Sequence, residues 1–203
     1  MSDEMLLWAA RWLGLAGLGL LIVSGVGGAL LASRTAPKSG FLKGRTFHYH
    51  RLLSLIGAGL FLLHPIPMLL AKSTTGMRVV NVFVPFTAPK QGFVIGLGVI
   101  AAYVLLVVTV SSIYMHRINR SLWRFLHYGT YLVFGLGLAH GLFISGEFKA
   151  GETLEFDEPE KLLLLGMAFV VLLFPMWLLQ AGDGEAEPTF VIACGRSTKP
   201  NNA

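Results

Sequence analysis

The sequence predicts an all-α fold, a polytopic transmembrane bundle of about five to six helices. Of the 203 residues, 54% are hydrophobic and only 13% are charged, whereas soluble domains usually contain about 25% charged residues. Charges are absent from five long runs, each near or above the roughly 20 residues that cross a bilayer as a helix. This composition excludes a soluble enzyme and a disordered chain. A single cysteine, Cys194, also excludes an intrachain disulfide.

The five predicted spans follow one another with short connections. They cover residues 12–33, 52–71, 91–115, 125–146 and 162–182. We interpret residues 1–182 as one membrane domain and residues 183–203 as a short cytoplasmic tail. The chain begins with acidic residues and the apolar run after Trp12 is long, so the first span is expected to be a membrane helix and not a cleaved signal. Residues 79–89 are apolar but too short to cross, which indicates an interfacial or lid-like loop.

The charge distribution predicts the orientation. The formal net charge is +5, and eight basic residues lie in the links 33–51 and 116–124. Because basic loops remain in the cytoplasm, these two links are expected inside, and the amino terminus and the acidic link 147–161 outside. We therefore expect an integral protein of the plasma membrane, or of the inner membrane in a bacterium. Its basic residues are expected to contact lipid headgroups, and we expect no nucleic acid partner.

Four of the six histidines form two pairs, each on one predicted span. His50 and His64 are 14 residues apart, and His127 and His140 are 13 apart. At 1.5 Å per residue, the members of each pair lie about 20 Å apart along a helix. Both helices run outwards, so His50 is expected to meet His127 at the cytoplasmic level and His64 to meet His140 at the outer level. Ionisable groups at membrane depth are costly, which favours a function over simple helix packing.

Two facing imidazoles at each of two levels predict two stacked haems with histidine ligands on both sides of each iron. Zinc fits less well, because two histidines alone make a poor tetrahedral set. The haems are expected to be b-type, since the chain has no CxxCH attachment motif.

The helix phase leads to two further expectations. Gly57 lies midway between His50 and His64 on nearly the same face, where we expect it to make room for a porphyrin. On an ideal helix His140 lies roughly 140° around from His127. We therefore expect a local distortion of the fourth span, for which Gly129, Gly135 and Gly137 are the candidate positions.

Haem propionates require basic partners near each membrane surface. Inside, Arg51 and Arg124 are the candidates that we assign to cofactor binding, with Arg120 nearby. Outside, the candidates are Lys72 and Arg78. The alternative for all of them is a role in topology and headgroup contact.

Two segments carry a resemblance to a known family. HRLLSLIGAGLFLLHP contains His-x13-His, and LWRFLHYGTYLVFGLGLAHGLF contains His-x12-His preceded by Trp123 and Arg124 in a Trp-Arg-x-x-His motif. Over about residues 45–146 the chain resembles the ferric reductase-like transmembrane domain superfamily. That group includes ferric reductases, NADPH oxidases and the membrane haem subunit of a periplasmic methionine sulfoxide reductase system.

The resemblance implies electron transfer across the membrane through two b-type haems. The tail has no GxGxxG sequence. Electrons are therefore expected from a separate reductase or from membrane quinol, with FAD or FMN present only through that partner. The expected acceptor at the outer face is an external protein or a metal ion. Two alternatives stay open: a ferric or other metal reductase that acts directly at the outer haem, and a non-redox structural or transport protein. No catalytic residue is assigned.

Overall fold

The computed structural model describes residues 2–33, 39–144 and 159–183, and every regular element in these ranges is a helix. In chain order they are α1 (Asp3–Ala32), α2 (Gly40–Leu63), α3 (Pro65–Leu70), α4 (Lys72–Thr75), α5 (Val79–Phe83), α6 (Gly92–Ile113), α7 (Arg120–Phe143) and α8 (Pro159–Asp183). The all-α prediction is confirmed for these ranges. The predicted tail from residue 184, including Cys194, and residues 147–158 of the acidic link lie outside them.

Within the described residues, three helical stretches are long and apolar enough to cross a membrane. They are Asp3–Ala32, Gly40–Leu70 (α2 continued by α3) and Gly92–Ile113. With 24 and 25 residues, α7 and α8 have the length of the other two predicted spans. Two arginines and two histidines in α7 lower its mean hydropathy. The number of spans beyond these three remains a prediction.

The helices extend past the predicted spans because capping groups determine where a helix begins. The Met5 amide donates to Ser2 Oγ (3.4 Å), and α1 begins at once after Ser2. The Ser121 amide donates to Asn119 Oδ1 (2.8 Å), and α7 begins after this cap. At its other end α2 stops before Pro65, which cannot supply the amide needed to continue the hydrogen-bond ladder.

The helices pack as two close pairs, α1 with α2 and α6 with α7, and α8 lies against α1 and α7. The first pair crosses so closely that a Cβ on Gly17 would lie 2.6 Å from the backbone nitrogen of Phe61. A Cβ on Gly57 would lie 2.9 Å from the carbonyl oxygen of Gly17. Glycine permits this approach where lipid provides no hydrophobic drive between helices. Gly57 therefore faces α1, and the prediction that it makes room for a porphyrin is wrong.

An apolar core separates the two histidine levels. Its buried residues come from α1, α2, α6, α7 and α8, and include Leu18, Leu21, Phe61, Ala101, Val133, Phe134, Leu138 and Leu164. The opposite sides of the long helices expose large apolar side chains, for example Leu55, Val107, Leu132 and Leu172. Such exposure over whole helix faces suits contact with lipid chains.

The segment predicted as an interfacial loop contains α5 and folds back on its neighbours. Asn81 is buried, and its Nδ2 donates to the carbonyl oxygen of Thr87 (2.7 Å). The Tyr103 hydroxyl of α6 donates to the carbonyl oxygen of Phe83 (2.5 Å). Val79 stays exposed. The segment is thus a hydrogen-bonded loop with apolar side chains on its outer surface.

Candidate functional site

Two pairs of imidazole rings face each other between α2 and α7. The ring centroids of His50 and His127 are 6.2 Å apart, with planes inclined by 73°. Those of His64 and His140 are 6.1 Å apart, with planes inclined by 58°. His50 meets His127 near the start of α7, and His64, directly after α2, meets His140 near the end of α7, so the two helices run parallel. The structure therefore brings together the same two pairs that the sequence predicts.

All four rings are held through Nδ1. Three of them donate from Nδ1 to a backbone carbonyl oxygen: His50 to Ser24 (2.8 Å), His64 to Phe61, and His140 to Val94 (2.8 Å). The fourth ring, His127, forms a longer hydrogen bond between Nδ1 and Ser112 Oγ (3.3 Å).

These bonds determine which nitrogen is free to bind a metal. A carbonyl oxygen can only accept, so Nδ1 of His50, His64 and His140 carries the proton and Nε2 keeps its lone pair. Among the described residues, all hydrogen bonds of the four rings are made at Nδ1. Histidines that bind metals characteristically donate their other ring N–H in this manner, which orients the ring and raises its basicity.

The carbonyl oxygens of Ser24 and Val94 are accessible to the imidazole rings because the residue four positions later in each helix is glycine. Gly28 follows Ser24 at this spacing, and a Cβ on Gly28 would lie 2.9 Å from His50 Cε1. Gly98 follows Val94 at the same spacing, and its Cβ would lie 3.0 Å from His140 Nδ1. A larger side chain at either position would occupy the space of the ring, so each glycine is required by a close approach.

For His64, a proline makes the accepting carbonyl oxygen available. The carbonyl of Phe61 would normally accept from the amide of residue 65, but Pro65 has no amide hydrogen. The carbonyl oxygen of Phe61 is thus left for Nδ1 of His64. These roles of Gly28, Gly98 and Pro65 were not predicted from the sequence. The sequence signal is a Gly or Pro four residues after each accepting residue, but the accepting residues are known only from the fold.

A buried hydroxyl cluster supports His50 from α1. Ser24 has 2% of its surface exposed. Its Oγ donates to the carbonyl oxygen of His50 (2.8 Å) and lies 2.6 Å from Ser54 Oγ. The backbone and the ring of His50 are therefore both tied to the same turn of α1. No sequence motif pointed to this residue.

Trp123 provides the support for His127. The two rings stack with centroids 5.1 Å apart and planes inclined by 25°. Within the described residues, Trp123 Nε1 is a buried polar atom without a hydrogen-bond partner. Buried indole N–H groups usually have a partner. An N–H donor is thus available beside His127.

The predicted distortion of the fourth span does not occur. Helix α7 is α-helical throughout Arg120–Phe143, with no π segment at Gly129, Gly135 or Gly137. The prediction was wrong because it took the direction of each imidazole only from the angular position of its residue on the helix. In the structure the side-chain orientation contributes as well: His127 lies over Trp123 of its own helix, whereas His140 turns to the Val94 carbonyl of α6.

The geometry of the donors fits haem. Two imidazole nitrogens, each about 2 Å from one iron, would separate the ring centroids by about 6 Å. The described residues contain no group of three or more His, Cys, Asp or Glu side chains that could hold a metal ion. A protein-only zinc site is therefore not formed there, whereas a porphyrin supplies the four remaining ligands itself.

The other predicted residues lie at the surface. Arg51 and Arg124 are exposed, and neither makes an ion pair within the described residues. His48 and His116 are also exposed and belong to neither pair. The remaining predicted cations, Lys72, Arg78 and Arg120, are exposed as well.

The chain matches one known family over most of its length. The model of the family described as ferric reductase like transmembrane component matches residues 10–138, which is more than half of the chain. A search of curated proteins and a search of solved structures each found no match. The matched range includes most of α1 and all of α2 and α6, the helices that are long and apolar enough to cross a membrane. It contains His50, His64 and His127, and ends two residues before His140.

Proposed function

Because the chain belongs to the family of ferric reductase-like transmembrane components, we propose that it transfers electrons across the plasma membrane through two b-type haems. In this proposal His50 and His127 are the axial ligands of the inner haem, and His64 and His140 are those of the outer haem. The family assignment and the long apolar helices support an integral membrane protein with a redox role.

The observation that carries the proposal is the arrangement of the four rings. In each pair the centroids are close to 6 Å apart, and every ring is fixed through Nδ1. If the histidines served only to pack helices, Nε2 would be expected to form hydrogen bonds with neighbouring helices, because unsatisfied polar groups are costly in lipid. This argues against the non-redox alternative.

A bound haem supplies a one-electron couple at each level. The residues of this chain would hold the two haems and set their midpoint potentials. The Nδ1 hydrogen bonds raise the basicity of the ligands, and basic ligands favour ferric iron. Between the levels, the buried core around Val133 and Phe134 excludes water.

We propose that the His50–His127 end faces the cytoplasm. The first half of α2, the α6–α7 link and the start of α7 lie at this end and carry Lys43, Arg45, Arg51, Arg117, Arg120 and Arg124. Positive loops are retained in the cytoplasm. The amino terminus, at the end of α1 nearest the His64–His140 pair, is then outside. A cytoplasmic reductase with bound flavin, or membrane quinol, is the proposed donor, and an external protein or metal ion is the proposed acceptor.

The test is the haem content of the purified full chain produced with an adequate haem supply. We expect about two noncovalent haems per chain with a low-spin spectrum. Replacing His64 or His140 by Ala should remove one haem, and replacing His50 or His127 should remove the other. His48→Ala and His116→Ala are the matched controls, because both histidines are exposed and outside the pairs.

A colourless protein would contradict the proposal. So would a His48→Ala variant that loses haem while His50→Ala keeps both. If losing His64 had the same spectral effect as losing His127, the pairing itself would be wrong.

A further inference from the structure

Trp123 carries a polar atom that lacks a hydrogen bond in the folded chain. Its indole Nε1 is buried and has no hydrogen-bond partner within the described residues. An unsatisfied buried N–H destabilises a fold, and for this reason buried indole N–H groups usually have a partner. Because the described part of the chain supplies no acceptor for this N–H, the acceptor is expected in a bound molecule.

The imidazole beside the indole does not serve as this acceptor. The ring planes of Trp123 and His127 are inclined by only 25°, with centroids 5.1 Å apart. The N–H bond lies in the plane of the indole, so it points past the imidazole and not at its face. Nδ1 of His127 is already hydrogen-bonded to Ser112 Oγ (3.3 Å). The stack thus places the indole beside His127 and leaves its N–H free.

Helix α7 places this donor between the proposed iron ligand and the start of the helix. Arg120, Trp123 and His127 follow one another at intervals of three and four residues, so they lie on one side of α7. Arg120 is exposed, Trp123 is half-buried, and the ring of His127 lies 6.2 Å from that of His50. From its first turn inwards, this side of the helix carries a guanidinium, an indole N–H and an imidazole.

We propose that Trp123 Nε1 donates a hydrogen bond to a propionate carboxylate of the haem held between His50 and His127. This assignment rests on the proposed function. The pyrrole nitrogens of haem b bind the iron, and its methyl and vinyl groups accept no hydrogen bonds, so the two carboxylates are its available acceptors. The macrocycle is much wider than an imidazole, which brings its edge near the indole stacked on His127. Hydrogen bonds to carboxylates are among the strongest in proteins.

The proposed role of Trp123 differs from that of the arginines at this level. Arg51, Arg120 and Arg124 are exposed, and the attraction of an exposed charge is weakened by solvent and salt. A neutral donor in a buried position acts in a less polar environment and requires no burial of a charge. Trp123 therefore fixes the orientation of the propionate edge of the haem, whereas the arginines balance its negative charge.

The experiment uses the purified full chain loaded with haem whose propionate carboxyl carbons are isotopically labelled. The infrared difference between the reduced and oxidised protein then identifies the carboxylate bands by their isotope shift. His64→Ala is the background, since it should contain only the haem of His50 and His127. Adding Trp123→Phe, which keeps an aromatic ring and removes the N–H, should move one labelled band to higher wavenumber. Adding Trp8→Phe instead should leave the labelled bands unchanged, because Trp8 is 62% exposed near the start of α1.

A second measurement follows the loss of haem to an excess of a haem-free acceptor protein. In the same background, Trp123→Phe should speed this loss about tenfold, since it removes a hydrogen bond to a charged group. Replacing haem b by its dimethyl ester, in which both carboxylates are blocked, should abolish most of the difference. In the chain that keeps all four histidines, Trp123→Phe should leave the spectrum of the other haem unchanged, which shows that the bundle is intact.

Labelled bands that stay in place in Trp123→Phe would overturn the inference, even with a faster loss of haem, because the indole would then act by packing alone. An equal acceleration with the dimethyl ester would also overturn it, and so would the same band shift in Trp8→Phe. Absence of any haem that depends on His50 and His127 would instead contradict the proposed function.

Discussion

At the scale of single residues, the four histidines owe their geometry to neighbours that have little or no side chain. Gly28 and Gly98 admit the rings of His50 and His140 to a helix backbone, and Pro65 frees a carbonyl for His64. The sequence was sufficient to predict the histidine pairs, because their spacing and the alternation of spans determine depth. It was insufficient for the acceptors, which depend on which helix face turns towards each ring.

The first prediction at this scale concerns two adjacent glycines. A Cβ on Gly28 would lie 2.9 Å from His50 Cε1, whereas a Cβ on Gly27 would meet nothing within 4 Å. Gly28→Val should therefore displace the His50 ring and lower the haem content from about two to about one per chain. Gly27→Val should keep both haems. The measurement is haem per protein, combined with the spectrum of the haem that remains.

If Gly27→Val lost as much haem as Gly28→Val, the effect would be one of helix propensity or folding. The close approach of His50 to α1 would then not be the cause.

At the scale of elements, the break between α2 and α3 is part of the site. Pro65 separates the two helices, and Phe61 in the last turn of α2 accepts from His64. From the sequence, residues 52–71 were predicted as one span, because hydropathy is insensitive to a missing amide hydrogen. The role of Gly57 was predicted from its helix phase alone, whereas the crossing of α2 with α1 at Gly17 determines the role of that glycine.

Replacing Pro65 by alanine should weaken the hydrogen bond from His64. The alanine brings an amide that would compete for the Phe61 carbonyl, so Nδ1 of His64 would lose part of its acceptor and the ligand would become less basic. The midpoint potential of the haem at this level should rise, by a shift on the order of tens of millivolts. Redox titration of the purified protein measures this shift.

Pro67→Ala is the control for this change, because the amide of residue 67 would be directed to Leu63 and not to Phe61. An equal shift in both variants would indicate a general effect of straightening the helix. A shift confined to the haem of His50 and His127 would contradict the assignment of His64.

At the scale of the whole molecule, α2 and α7 run parallel and hold two sites about 20 Å apart along the helices. Lys43, Arg45, Arg51, Arg117, Arg120 and Arg124 lie at the His50–His127 end. Charge asymmetry of this kind determines orientation and also favours the approach of an acidic partner. The pairing of the four histidines followed from the sequence, because it depends on their spacing along the chain. The ion pair between Arg11 and Glu160 did not, because it depends on how α1 and α8 meet.

The orientation gives a prediction about the direction of electron flow. In proteoliposomes of known orientation, a reductant confined to the His50–His127 side should reduce both haems. An acceptor confined to the other side should then reoxidise them. The measurement is the absorbance of the two haems with time, and the His50→Ala variant is the control in which reduction of the outer haem should slow at least about tenfold.

Reduction of the outer haem at an unchanged rate in His50→Ala would mean that electrons reach it by another route. Failure of the confined reductant to reduce the outer haem in the unchanged chain would contradict transfer across the membrane.

The partners that hold Nδ1 of the four rings differ in one respect that bears on how such a protein can evolve. His50, His64 and His140 each donate to a main-chain carbonyl, which no substitution at the accepting residue removes. Nδ1 of His127 is hydrogen-bonded to the hydroxyl of Ser112, which one codon change can delete or replace. A substitution at residue 112 can therefore change the His50–His127 site and leave the His64–His140 site unaltered. Among relatives of this chain, we expect position 112 to vary with the identity of the electron donor, whereas the outer ligands keep one chemistry.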